Sequence, residues 1–191
     1  LGTTFPAGQG MSEGVELLKM LARHPSTMRH VGNKLCARFV NDEPPSGCVD
    51  AAVRAWEASG GEIREVLRAI FSSPEFWAAE NRAAKTKTPL EFVASAVRAV
   101  GAVPDTTPGL AQLVARLGQP LYLQEPPTGY PETQESWVNS GALLQRLNTA
   151  MAIAAGRAPG LTIDLDLVLP AGDDPEALVS AVNRIVLNGG G

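Results

Sequence analysis

The chain has 191 residues, of which 45% are apolar and 19% charged, with a formal net charge of -4. A chain of this length buries one sizeable core, roughly 70% of its unfolded surface, and this composition lies outside the low-hydrophobicity, high-charge range of disordered chains. Acids and bases are mixed along the chain, so no basic field draws it to nucleic acid, and no apolar run approaches the roughly 20 residues of a membrane-spanning helix.

Residues 1–11 read as an N-terminal loop, with turn chemistry in Pro6-Ala7-Gly8-Gln9-Gly10. The first residue is Leu1 and no signal peptide is legible, so the chain reads as a piece of a longer protein. Helical periodicity then dominates residues 12–118. Val15, Leu17, Leu18 and Leu21 mark a first helix over Ser12 to Ala22. Pro25 fits a first helical position, and Met28, Val31, Leu35 and Phe39 recur at threes and fours until Asp42-Glu43-Pro44-Pro45 stops the pattern. Ser46 is placed to cap a third helix through Val49, Val53 and Trp56, which Gly60-Gly61 ends. A fourth runs from about Glu62 to Ser72. Ser73-Pro74-Glu75 opens a short turn whose Phe76 and Trp77 are expected to plug into the core.

Thr88-Pro89-Leu90-Glu91 is the sharpest local signal. It offers a cap hydroxyl, a proline in the first turn and a glutamate placed to reach back to the cap amide. A helix with Phe92, Val93, Ala96, Val97 and Val100 inward follows, and Thr107-Pro108 opens another that Gly118 closes. Pro120, Pro126, Pro127 and Pro131 impose an irregular aromatic-bearing loop over residues 119–139. A long helix is predicted over 140–157, an extended connector over 158–172 and a final helix over 173–188. Within the connector, Leu161 to Leu167 alternates as a strand does, but no second strand is legible to pair with it. These elements predict an all-α fold in one domain: an orthogonal bundle of about seven to nine helices with one long Pro-rich loop.

Several motifs occur together in chain order: His24-Pro25-Ser26-Thr27 leading to Lys34-Leu35, Ser73-Pro74-Glu75-Phe76-Trp77, Lys85 through Val93, and Gly129-Tyr130-Pro131 followed by Trp137. In this set the chain resembles the C-terminal half of the bacterial family known as domain of unknown function 1800, over roughly Phe5 to Arg157. The resemblance implies a long, often exported bacterial protein, hence a periplasmic or extracellular location. It also implies an N-terminal half before Leu1, and it supplies no catalytic residues. Cys48 departs from the family's usual pattern, and Cys36 and Cys48 stand either as one disulfide or as two buried thiols.

The candidate site residues form two groups. Around the loop, Tyr130, Trp137, Asn139, Arg146 and Asn148 supply aromatic walls with polar tips, as ligand grooves do; the leading reading is that Tyr130 and Trp137 pin the loop to the bundle, with Arg146 and Asn148 satisfying its backbone carbonyls. Arg82, Lys85 and Lys87 could hold an anion, or pair with Glu75, Glu80 or Glu91. Gly8-Gln9-Gly10 before a helix faintly suggests a phosphate loop, although no strand precedes it. His24 and His30 are six apart and so lie on different helix faces, which predicts no metal site. No cofactor motif and no hydrolase nucleophile is legible. The expected function is a helical module that docks a partner protein or its own N-terminal half, on the exposed faces of the second helix and of the helix over Ser140 to Ala155. The rival is part of an exported enzyme acting on a polymer or an anionic small molecule.

Overall fold

The computed structural model describes residues 2–164, 169–170, 172 and 174–186. The fold is mainly α-helical, as the periodicity predicts, with nine α-helices among the described residues and one two-stranded sheet. The chain divides into two compact units, residues 1–85 and 86–191.

The first unit contains α1 (Met11–Ala22), α2 (Pro25–Phe39), α3 (Ser46–Ser59), α4 (Ile63–Phe71) and the one-turn α5 (Pro74–Trp77). Its core forms where α2, α3 and α4 meet, around Met28, Val49, Trp56, Val66 and Ile70. The α2–α3 crossing is close because Gly32 presents no side chain; a Cβ there would lie 3.2 Å from that of Ala52. A disulfide joins Cys36 to Cys48 across the same pair of helices, both residues fully buried. His24 starts α2, its ring Nδ1 accepting the Ser26 amide at 3.2 Å. At α3 the expected cap shifts by one residue. Pro45 holds the cap position, and Ser46 is already helical.

The short α5 departs from expectation. Its cap forms as predicted, Ser73 accepting the Phe76 amide, and Phe76 packs on the core. Trp77, however, is 71% exposed. A one-turn helix cannot aim two consecutive side chains at the same place, since they project about 100° apart.

The second unit contains α6 (Pro89–Ala99), β1 (Val103–Pro104), α7 (Gly109–Arg116), α8 (Ser140–Ala154), β2 (Leu161–Thr162) and α9 (Pro175–Val186). Thr88 and Glu91 close the predicted capping box at the start of α6. The core gathers Val93, Val97, Leu113, Val114 and Ile153. Leu161–Thr162 is not an unpaired connector, because it pairs antiparallel with Val103–Pro104, Val103 opposite Thr162. A two-residue strand ending in proline leaves no period in the sequence, which is why the partner was not legible. The Pro159-Gly160 backbone passes directly over Gly109, so a Cβ on Gly109 would stand 2.8 Å from the Gly160 nitrogen. Residues 165–168 and 171 of the predicted connector and 173 and 187–188 of the predicted final helix lie outside the described residues.

Candidate functional site

The loop over residues 119–139 is held by its own aromatic side chains. The Tyr130 hydroxyl donates to the Pro120 carbonyl, and the Trp137 Nε1–H donates to the Pro131 carbonyl at 2.8 Å. The two rings pack 6.0 Å apart, with Trp137 buried. Gln119 accepts the Leu90 amide at 2.8 Å, which fixes the start of the loop to α6, and Thr86 bonds Gln134 at 3.0 Å. Both polar tips that could have met a ligand therefore satisfy loop carbonyls instead.

The other predicted loop-site residues are distributed along α8. Asn139 is its cap, with Oδ1 accepting the Ala142 amide at 2.9 Å. Arg146 lays its guanidinium over the Phe92 ring, 5.4 Å from the centroid. Burial holds its pKa below the usual arginine range, and its Nη2 is enclosed without a hydrogen-bond partner. Asn148 is exposed. Tyr130 and Trp137 are thus brought together, while Asn139 caps α8, Arg146 lies over Phe92 and Asn148 is exposed.

The predicted anion group is divided between the units. In the first, Lys85 forms an ion pair with Asp42, a partner outside the three acids expected, and Arg82 is exposed. In the second, Lys87 donates to the Ser95 hydroxyl at 2.9 Å. In the Gly8-Gln9-Gly10 turn, the Gln9 amide donates to the Glu13 carboxylate, so an acidic group already holds the amide a phosphate would need. His30 is exposed, and no group of three metal-binding side chains gathers among the described residues.

On α8, whose exposed face is one of the two docking surfaces expected from the sequence, the apolar residues divide between two sides. Thr149 and Ile153 are buried. Leu143, Leu144, Leu147 and Met151 are 53%, 59%, 58% and 58% exposed. At 100° per residue these four occupy an arc of about 100°, on the far side from the buried pair. The signal in the sequence is excess. Leu143, Leu144, Leu147, Met151 and Ile153 span more of the circumference than one core-facing stripe requires.

A family model described as "Protein of unknown function (DUF1800)" matches residues 1–190. The match extends beyond the stretch delimited by the sequence motifs and takes in nearly the whole chain. No curated protein and no solved structure matches.

Proposed function

Because the chain belongs to the DUF1800 family of proteins of unknown function, and because α8 turns an apolar stripe to solvent, we propose that it is a non-catalytic docking module that receives protein on that stripe. The occupant is a partner chain or a further segment of the same polypeptide. The observation that carries this reading is the exposure of Leu143, Leu144, Leu147 and Met151 on one face of a 15-residue helix. Fully burying such a side chain is worth about 1.5–3 kcal/mol, so covering the remaining half of four contributes roughly 3–6 kcal/mol before the entropy of association. Contiguous apolar surface of this kind marks interaction sites.

Two further observations support the module over an enzyme cleft. The loop aromatics that would line a cleft have their polar atoms bonded to loop carbonyls. Two of the three cations of the predicted anion site are engaged as well, Lys85 with Asp42 and Lys87 with Ser95, while Arg82 is exposed. The buried Cys36–Cys48 disulfide supports export, because such bonds persist in oxidising compartments.

A photo-crosslinking amino acid at Leu147, in the protein produced in its own cells, tests the reading. A discrete adduct or intramolecular crosslink is expected at Leu147, absent when the same group replaces Gln145 on the opposite side of α8. It should disappear in the Leu143→Glu/Met151→Glu variant. An identical pattern from both positions, or no crosslink from Leu147, overturns the proposal.

A further inference from the structure

The first unit has a surface feature that the docking reading does not use. Phe39, Phe71, Phe76 and Trp77 form a continuous edge-to-face chain, with successive ring centroids 5.2, 5.2 and 5.3 Å apart. Phe76 roots this chain in the core, while Phe39 and Phe71 emerge at 40% and 38% exposure and Trp77 at 71%. The Trp77 indole is held in place, because its Nε1–H donates to the Phe71 carbonyl at 2.8 Å. With its N–H already bonded, the ring presents only π-surface and apolar edge to water.

Beside the rings, α4 carries a shallow open groove of about 560 Å³ lined by Arg64, Leu67, Arg68, Phe71 and Ser72. Arg68 and Ser72 also line a second depression of about 490 Å³, which continues over Ala55, Ala58 and Ala69. The two lie on either side of the Arg68–Ser72 ridge of α4, and the second also takes in Glu65, so only the first groove adjoins the rings without an acid in its lining. Its cations are unequal: Arg68 pairs with Glu65, whereas Arg64 is exposed and makes no ion pair among the described residues. From Arg64 to Phe71 is about 10 Å along the helix, a length spanned by a few pyranose rings.

We infer that the groove beside the rings binds an acidic polysaccharide, with the pinned Trp77 ring stacking on the C–H face of one sugar and Arg64 receiving the carboxylate of a uronate further along the chain. The guanidinium fork matches a carboxylate in two parallel hydrogen bonds, which the compact ammonium of a lysine does not. A flat, fixed ring with no free polar atom matches the flat C–H face of a pyranose. An acidic peptide offers the Trp77 ring no flat apolar face of pyranose size, so its carboxylates alone would have to carry the binding. The charge requirement excludes a neutral glucan as the preferred ligand, since Arg64 would gain nothing from it.

The test is affinity electrophoresis of the full chain through gels containing polygalacturonate, dextran or poly-glutamate, with circular dichroism verifying that each variant is folded. Polygalacturonate should retard the protein, dextran and poly-glutamate should not, and added salt should weaken the retardation. Trp77→Ala should reduce apparent affinity by about tenfold, and Trp77→Phe, which keeps a stacking ring, should reduce it less. Arg64→Ala should weaken binding and flatten the salt dependence. Absence of retardation by polygalacturonate, equal retardation by poly-glutamate or by dextran, or a folded Trp77→Ala that binds like the unaltered protein overturns the inference.

Discussion

Reducing the Cys36–Cys48 disulfide should lower the stability of the first unit by about 3 kcal/mol. The bond closes a loop of sequence separation 12 between α2 and α3. In the chain-entropy treatment, a loop of that size removes roughly 10 cal/mol/K from the unfolded ensemble, or about 3 kcal/mol at 25 °C. Both cysteines are fully buried, so the thiols released on reduction stay among Val49, Ala52 and Ile70 and lose little packing. The effect therefore lies mainly in the unfolded state. For a unit of this size, each kcal/mol moves the midpoint by about 4–8 °C, which predicts a fall of roughly 12–24 °C. The assay is thermal unfolding of the full chain with and without a phosphine reductant, alongside Cys36→Ala/Cys48→Ala. Thiol titration in denaturant without reductant should find both cysteines blocked. Two free thiols in the denatured, unreduced protein, or a midpoint unmoved by reductant, would refute the reasoning.

Two more outcomes follow from local geometry. Gly109→Ala places a methyl 2.8–2.9 Å from the Pro159-Gly160 backbone, which has no flexible end to move aside. It should cost about 1–3 kcal/mol, read as a lower denaturation midpoint, whereas Gly14→Ala, with open space around it, should be neutral or stabilising. Asp105 accepts hydrogen bonds from both the hydroxyl and the amide of Thr107, and the side-chain bond leads in holding its carboxyl below the ordinary aspartate value. A depressed folded value means that the stabilisation is present above the unfolded pKa, near about 3.9, and is lost as pH falls through the lowered folded value. Carboxyl NMR should show Asp105 titrating higher in Thr107→Val; an unchanged titration would remove the hydroxyl as the cause.

The parts of the fold that could be read in the sequence are those whose causes lie within four residues. Thr88 and Glu91 cap α6 through amides three positions away, Ser73 does the same for α5, and the prolines that open α2, α5, α6 and α9 act on their own φ angles. The surroundings of the candidate-site residues depend on contacts farther away in the chain. Tyr130 and Trp137 have the composition of a groove wall, and only the acceptor each one found shows that they brace the loop. Lys85 meets Asp42, more than forty positions away.

By itself the sequence determined where helices start, stop and repeat their apolar residues, because capping, proline geometry and the 3.6-residue period are local properties of the chain. Tertiary structure decided which of those apolar residues were covered. Ile153 meets Val93 and Leu113, while Leu147 on the same helix meets water. It also decided that Val103 pairs with Thr162 and that Cys36 bonds to Cys48. Burial and pairing depend on which distant element arrives at a face, and no periodicity within a single segment encodes that arrival.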